Sequence, residues 1–571
     1  MKNLRKMKSL LLIIVMLIAF NTIANSKEIN EKFNSENRKC EKQSITLNGS
    51  DFEFNEININ RLFKLGKLWG FLKYYHPFVR SGKIDWDQEL LMKIELVFQD
   101  DFDNEILEWV QNVGNKESEN KYKRCDKNQG VTDWFREDSF QDSTLMNELD
   151  YLMQKKRKRN SHYVSLSKKK RIQFINEVKY PNIDYTDASM KILSLFRYWN
   201  YVEYFFAYKH LLKKDWDEIF IQYIPKIVKC DDELTYKLTM LSLFGELNDT
   251  HSTISPFDKT INTFFGEFIA PLRIEMIENV PVVTGIPDNY QIYNINVGDI
   301  ITQIDYEDVA ELIKNKIKYC PASNDSRMIA DVTALLLRSN KSKINLKLDT
   351  DNGSFIEEIH TIKYRPGIVQ KIDNTNKLFD DSIAYINTGS LKPGQLELIS
   401  KEILSKKGVI VDLRCYPGDN LINKLGNLIV CDRKAFARCS WSNAKNPGYF
   451  TSSMLTYVGG SKQNYYKGKV MILINSETHS FAEYTAMALQ LGPNTTIIGS
   501  TTSGADGDIV SMILPGNIQT WFSSIRITYP NGKECQQVGI IPDVRIKPTI
   551  EGIRAGKDEL IEKAIELINM D

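Results

Sequence analysis

The rhythm of hydrophobic and polar positions changes twice along the chain. In the first third, Leu65, Trp69 and Tyr74 recur at helical spacing and are followed by Asp85-Trp86-Asp87. The same set returns 130 positions later as Leu195, Trp199, Tyr204 and Asp215-Trp216-Asp217. This predicts two related helical hairpins, each second helix opening on an Asp. Their aromatics read as core, the alternative being a stripe that lines a ligand groove. From about residue 263 the pattern turns strand-like. Residues 270–276, 280–284 and 295–305, the last with a Gly-Asp turn, predict a small β domain, with a helix over 331–338 and a strand over 344–348. In the last third, short apolar runs at 383–386, 408–413 and 470–474 alternate with helical stretches at 395–404 and 481–491, which predicts a sheet covered by helices. Residues 520–529 and Asn531-Gly532 predict a hairpin.

The first residues follow another logic. Lys2, Arg5, Lys6 and Lys8 precede an apolar run over 10–20 and the small residues Ala24 and Ser26. This is the pattern of a secretory signal peptide, too short in its apolar part to span a bilayer. Export to a periplasmic or extracellular compartment is expected. No cysteine precedes Cys40, so no lipoprotein attachment site is expected, and no later stretch has the length of a membrane span. The expected organisation is a multidomain α+β chain. It has a signal peptide (1–26), an N-terminal helical region with the first repeat (27–185), a second helical repeat (186–262), a β domain (263–366) and an α/β domain (367–571).

Composition narrows the function. With 571 residues, 74 Lys plus Arg and 73 Asp plus Glu, the chain has no global charge that would mark a nucleic-acid binder. Its eight cysteines are scattered and form no CxxC pair, so a zinc ribbon or redox motif is not expected, and nothing calls for a metal or cofactor. Nine basic residues in 155–159 and 168–171 read as a solvated linker or helix face, the alternative being an anionic partner.

Chemistry gathers at three segments. Ser480 follows an apolar strand and opens a helix; with Glu483 it fits a capping box. It also fits a nucleophile, because a helix N-terminus offers free N–H groups and a positive dipole end to an oxyanion. A serine nucleophile needs a base. Among the six histidines, His251 in Asn248-Asp-Thr-His-Ser-Thr253 sits in a loop after a helix, whereas His479 is adjacent to Ser480 and neighbours at a turn rarely face one another. The third segment, Gly408-Val-Ile-Val-Asp-Leu-Arg-Cys-Tyr-Pro-Gly418, is a buried strand ending in a turn whose Gly418 N–H could meet a ligand. Its blander reading keeps Asp412 and Arg414 in structural ion pairs.

Together these segments resemble the tail-specific (C-terminal processing) serine peptidases, especially their tricorn-core-like branch with a His base. The resemblance runs from about Leu65 to the C-terminus. It rests on Gly245-Glu-Leu-Asn-Asp-Thr-His251, Asp412-Leu-Arg-x-x-Pro-Gly418, Ser480-Phe-Ala-Glu483, Ile498-Gly-Ser-Thr-Thr-Ser-Gly504 and Val538-Gly-Ile-Ile-Pro-Asp543. It implies a ClpP/crotonase-like peptidase domain, with the middle region, through Val297-Gly-Asp-Ile-Ile301, as a PDZ-like domain that binds an extended chain or a protein C-terminus. It implies Ser480 as nucleophile, His251 as general base, Gly418 and the Phe481 N–H as oxyanion donors, and Thr250 as the hydroxyl linking the His to an acid. Three positions depart from the family pattern. Ala505 stands twenty-five residues after the Ser, where the Ser–Lys branch has its Lys. Asp419 replaces the second Gly of Pro-Gly-Gly. Gln536 occupies the place of a supporting Glu, for which Glu534 is the candidate substitute. The resulting expectation is an exported serine endopeptidase that cleaves polypeptides through an acyl-enzyme, gated by the PDZ-like domain. The rivals are a catalytically inactive peptide or small-ligand binder on the same scaffold, and an esterase or amidase.

Overall fold

The computed structural model describes residues 55–113, 134, 143–287, 294–367, 377–379, 382–392, 394–451, 453–460 and 465–570. The signal-peptide reading, Cys40 and Cys125 lie outside them. The two predicted hairpins are present. Helix α1 (Glu56–Tyr75) is capped by Asn55, which accepts the Asn58 N–H at 2.8 Å, and α2 (Trp86–Lys93) by Asp85. A short ribbon of β1 (Val164–Leu166) and β2 (Ile172–Phe174) precedes α3 (Ala188–Phe205). Helix α4 (Trp216–Val228) starts on Asp215, which accepts the N–H groups of Asp217 and Glu218 at 2.8 and 3.3 Å. Helix α5 (Glu233–Gly245) follows.

The repeat has internal two-fold symmetry. Within each hairpin the two tryptophans exchange hydrogen bonds. Trp69 Nε1 donates to Trp86 O at 2.8 Å and Trp86 Nε1 to Trp69 O at 3.0 Å. Trp199 and Trp216 do the same at 3.0 and 3.1 Å. Each indole thereby buries its ring without leaving an N–H unmatched, and burial of roughly 150–250 Å² is worth roughly 4–6 kcal/mol at about 25 cal/mol/Å². Between hairpins, residues meet their own equivalents. The Tyr74 and Tyr204 rings stand 5.1 Å apart, edge to face. A Cβ on Gly70 would come within 1.7 Å of Asn200 Oδ1, and one on Gly66 within 2.9 Å of the Phe196 ring. Contacts in register at every fourth residue mean that α1 and α3 run side by side in one direction. The ion pairs are reciprocal too: Lys67 meets Asp217, and its equivalent Arg197 meets Asp87.

After α5 the middle region forms an antiparallel sheet of β3 (Arg273–Ile277), β4 (Val280–Gly285), β5 (Ile300–Ile304), β6 (Lys343–Thr350) and β7 (Gly353–His360), in spatial order 7-6-5-4-3. The predicted helix starts earlier than expected: α6 is Asp325–Ala334, capped by Asn324.

The α/β region has a six-stranded sheet in simple order: β8 (Lys377–Phe379), β9 (Ile383–Asn387), β10 (Gly408–Asp412), β11 (Lys469–Ile474), β12 (Thr495–Gly499) and, last in space and in chain, Val544–Arg545. All pairings except β8–β9 are parallel. Strands β9 and β10 are buried at every position, as a sheet covered on both faces requires. Helix α7 (Phe481–Leu489) lies on one face and α8 (Glu559–Asn569) on the other. A separate hairpin, β13 (Ile509–Leu514) with β14 (Ile518–Ser523), packs its buried residues into the helical core. The hairpin expected at 520–529 is thus placed differently: Ile525–Thr528 pairs with Lys434–Trp441, and the Asn531-Gly532 turn carries only a single bridge, Thr528 with Glu534. Part of the basic stretch is also not solvated. Arg157 is buried, donates to the carbonyls of Met153 and Lys445 at 2.9 and 3.0 Å and stacks on the Tyr75 ring, whereas Lys168, Lys169 and Lys170 are exposed as expected. No helix among the described residues is long and apolar enough to cross a membrane.

The reciprocal ion pairs are unequal. Asp87 and Arg197 are both buried; burial opposes the Asp87 charge, but Arg197 and Lys73 hold its carboxyl below the usual value. Asp217 is partly exposed, and burial outweighs Lys67 to raise its carboxyl. Asp87→Asn, which leaves Arg197 buried with a weakened partner set, is expected to cost about 3–5 kcal/mol in denaturation experiments. Asp217→Asn is expected to cost about 1 kcal/mol or less. Equal losses would show that the two pairs are equivalent.

Candidate active site

Two segments from opposite ends of the fold meet beside the carboxyl ends of the parallel strands, where ligands bind in open α/β sheets. The first is the turn between β11 and α7. Ser480 has φ 53° and ψ −121°, a left-handed backbone that a non-glycine residue adopts only when its surroundings impose it. The surroundings do so. Thr478 Oγ1 donates to Leu413 O at 2.8 Å, Ser503 Oγ donates to Ser476 O at 2.7 Å, and the Ser480 N–H donates to Ala505 O at 2.8 Å. The Ser480 side chain does not cap the helix. The Ser480 half of the capping box is therefore absent. Glu483 turns instead to the 502–505 loop, accepting the Thr502 hydroxyl and the N–H groups of Gly504 and Ala505 at 2.8 and 2.9 Å. Its hydroxyl thus uncommitted, Ser480 stands partly exposed at the first turn of α7, and the Phe481 N–H donates to no carbonyl.

The second segment is the loop after α5. Asn248, at φ 49°, ends the helix and reverses the chain. Asp249 is fully buried. Its Oδ1 accepts the His251 backbone N–H at 3.2 Å and lies 3.2 Å from His251 Nδ1; its Oδ2 accepts the Ser523 N–H at 2.8 Å. Ser523 Oγ lies 3.0 Å from the same Nδ1. Burial works against the Asp249 charge, but the hydrogen bond and charge of His251 and the bonds from Ser523 hold its carboxyl below the usual range. An ionised acceptor at Nδ1 keeps the proton on that nitrogen and leaves Nε2 as the basic one. His251 also lies close enough to His479 to lower it: burial is the main cause, and Arg327 and His251 add to it. His479 Nδ1 is committed to Glu477 O at 2.8 Å.

The supporting residues differ from the expectation. Thr250 does not link His251 to an acid. It is tied to the middle region, with its N–H donating to Ser323 Oγ at 2.9 Å and its Oγ1 accepting the Ser323 N–H at 3.0 Å. Glu534 is not at the histidine either; it accepts His210 Nε2 at 3.0 Å and pairs with Arg526. Gln536 is at the site but cannot be a base or an acid. It accepts the Asp506 N–H at 3.0 Å and reaches Asp249 Oδ1 and Ser323 Oγ at 3.4 Å, bridging the two halves. The carboxylate beside His251 Nδ1 is Asp249, which the sequence reading does not single out. The signal was there, because an Asp two residues before the His can bond that residue's N–H as an Asx turn.

The Gly418 loop comes off β10, next to the strand that carries Ser480. A Cβ on Gly418 would lie 2.2 Å from Leu391 O, so the close approach requires glycine. Its N–H, however, donates to Thr388 O at 2.9 Å, and the oxyanion role expected of it is not available in this conformation. Asp412 and Arg414 take the structural reading: Arg414 bridges Asp412 and Asp558 at 2.7 and 2.8 Å, fastening β10 to α8. Asp419 folds away onto Lys424 and the Gly394 N–H at 3.0 and 3.1 Å. Ala505 is fully buried and contributes backbone groups only.

The parallel sheet and Ser480 fall within the part of the chain that matches a peptidase family. Residues 382–546 match the model of peptidase family S41. Comparison with curated proteins gives no match. Among solved structures the fold is similar to mature CPAF complexed with lactacystin (11% identity, 67% of this chain and 98% of that chain, TM-score 0.54) and to a crystal structure of mature CPAF (12%, 67% and 96%, TM-score 0.50). The photosystem II D1 C-terminal processing protease aligns at 16% identity over 67% of this chain and 98% of that chain, with a TM-score of 0.40.

Asp506, beside the site, offers a test of its electrostatics. It is buried, its Oδ2 has no hydrogen-bond partner, and burial together with Glu483 holds its carboxyl well above the usual range. A carboxyl that stays protonated in the fold but ionises in the unfolded chain loses stability as pH rises above its unfolded value. Asp506→Asn removes that loss. Its stability advantage over the parent is expected to grow from pH 5 to pH 8, by up to about 1.4 kcal/mol per pH unit until the folded carboxyl ionises. A difference independent of pH would show that Asp506 is already ionised in the fold.

Proposed function

We propose that the protein is an exported serine endopeptidase in which Ser480 attacks a peptide carbonyl, His251 Nε2 takes its proton and Asp249 holds the imidazole. The observation that supports this is the buried Asp249, whose carboxylate is held below the usual range and lies 3.2 Å from His251 Nδ1. The proton passes from Ser480 Oγ to Nε2 and then to the leaving amine, and water resolves the acyl-enzyme by the reverse route. The Phe481 N–H at the helix start supports the oxyanion. Export rests on the basic, apolar and small-residue pattern of residues 1–26.

The middle region supports its reading as a PDZ-like, gating element because it holds both halves of the site. Ser323 bonds Thr250, Asn324 Nδ2 donates to Thr502 O at 2.8 Å, and Arg327 pairs with Glu477 at 3.0 Å. A shift of α6 would therefore move the His loop and the Ser turn relative to one another.

A fluorophosphonate probe tests the reading. The mature protein is expected to label, and Ser480→Ala and His251→Ala to lose the label. Asp249→Asn is expected to retain the fold and lower turnover of a peptide substrate by about a thousandfold to ten-thousandfold. Labelling that survives His251→Ala would move the base to His479. No labelling of the intact protein would make it a binding module.

A further inference from the structure

Strand β14 alternates buried and less buried positions from Ile518 to Trp521, and its Phe522 belongs to the helical core. Ser523 comes next and is fully buried although it carries a hydroxyl. A buried hydroxyl costs free energy unless it is bonded. Its partner is the imidazole: Ser523 Oγ lies 3.0 Å from His251 Nδ1, nearer than Asp249 Oδ1 at 3.2 Å. The backbone that carries it is held on both sides. The Ser523 N–H donates to Asp249 Oδ2 at 2.8 Å, and its carbonyl accepts the Ala207 N–H at 3.0 Å. Behind the side chain, a Cβ on Gly507 would come within 3.5 Å of Ser523 Cβ, so the loop after Asp506 closes on it.

Two acceptors thus converge on one nitrogen. An ionised carboxylate can only accept, so the nitrogen beside Asp249 is the donor. A hydroxyl has one proton to give and two lone pairs to offer, so Ser523 can accept from Nδ1 and still donate. A side-chain bond from Ser523 is among the causes that hold the Asp249 carboxyl below its usual value. The two acceptors also differ in origin. Asp249 belongs to the same loop as His251 and moves with it, whereas Ser523 reaches the ring from a strand 272 residues away. Thr250, the hydroxyl that the resemblance places here, is turned to Ser323.

We propose that Ser523 is a positioning residue for His251: its hydroxyl accepts the Nδ1 proton together with Asp249, fixes the ring from outside its own loop and stabilises the imidazolium. In catalysis that cation forms when Nε2 takes the Ser480 proton. This last role rests on the peptidase reading; the contact with the imidazole does not. The groups acting around the ring are Asp249 from its own loop, Ser523 from β14 and His479 from the Ser480 turn, with Arg327 of α6 acting on His479.

The test is NMR titration of the full chain with 15N-labelled histidine, the His251 signals being assigned from their loss in His251→Gln. The neutral ring is expected as the Nδ1–H tautomer. Ser523→Ala removes the negative end of a dipole from the imidazolium and is expected to lower the His251 pKa by about one unit, a tenfold loss of proton affinity. The signals of the other histidines report whether the fold is kept. Ser252→Ala is the structural control: it deletes a buried hydroxyl from the adjacent residue, bonded to Tyr198 at 2.8 Å, and is expected to leave the His251 pKa in place. Peptide turnover by Ser523→Ala is expected to fall about tenfold in kcat with KM unchanged, and the acid limb of its kcat/KM profile to move to lower pH. An Nε2–H tautomer in the parent overturns the proposal, because Ser523 would then be donating to Nδ1. An unchanged or raised pKa in Ser523→Ala overturns it too, as does an equal shift in Ser252→Ala, which would mark a loosened loop. The titration reads the imidazole whether or not Ser480 labels with fluorophosphonate. A lowered pKa in a protein that does not label would uphold the Ser523 assignment and overturn the peptidase reading alone.

Discussion

A carboxylate that is removed from water must find partners or lose its charge. Asp249 finds them in three parts of the chain: the imidazole and N–H of its own loop, the N–H of Ser523 at the end of β14, and more distantly the amide of Gln536. Satisfying this one group therefore fixes the helical region, the β13–β14 hairpin and the loop preceding the last sheet strand relative to each other. Gln536 carries the constraint onward, since its other end accepts the Asp506 N–H, next to the Ala505 carbonyl that receives the Ser480 N–H. The Ser480 turn and the His251 loop are thus connected through backbone and amide groups.

The helical repeats explain why such a constraint can be met from so far away in sequence. Loop 248–253 hangs from α5, and its neighbour Ser252 shares a hydrogen bond with Tyr198 at 2.8 Å, so the loop is anchored on the second hairpin. That hairpin is locked to the first by contacts between equivalent residues and by the reciprocal ion pairs. The asymmetries in the repeat fall on this interface. Gly66 and Gly70 stand opposite Phe196 and Asn200, so one helix supplies the hollow and the other the bulk, and Asn200 Nδ2 fills the gap by donating to Gly66 O at 3.0 Å. A symmetric duplication with two bulky faces could not bring the helices this close.

The parts of this arrangement that could be read from sequence are those set by local pattern. Strands β9, β10 and β11 are continuous apolar runs, and the Asp-Trp-Asp segments start helices because Asp caps them. Ser480 and His251 could be read because each sits where a regular element gives way to a loop. What could not be read depends on long-range partners. Ser480 and Glu483 satisfy the spacing of a capping box, yet Glu483 is drawn to three donors in a loop about twenty residues on, which no local rule reveals. Thr250, which the resemblance places beside an acid, answers Ser323, seventy-three residues away. Arg157 looks like one charge in a solvated run, but its guanidinium is consumed by carbonyls of its own segment and by the carbonyl of Lys445.

The three departures from the family pattern have one physical character. Each replaces a reactive or permissive group by one that the fold ties down. Where a Lys would stand, Ala505 is buried and lends its N–H to Glu483 and its carbonyl to the Ser480 N–H, so the position shapes the Ser480 turn through its backbone. Where a second Gly would stand, Asp419 is drawn onto Lys424 and Gly394, which stiffens the loop that carries Gly418. Where a Glu would stand, Gln536 adds no charge beside Asp249. A second carboxylate there would face a buried one at close range, and like charges at such a site force one to take up a proton. With a neutral amide instead, the buried Asp249 faces His251 Nδ1 without a second carboxylate from this position.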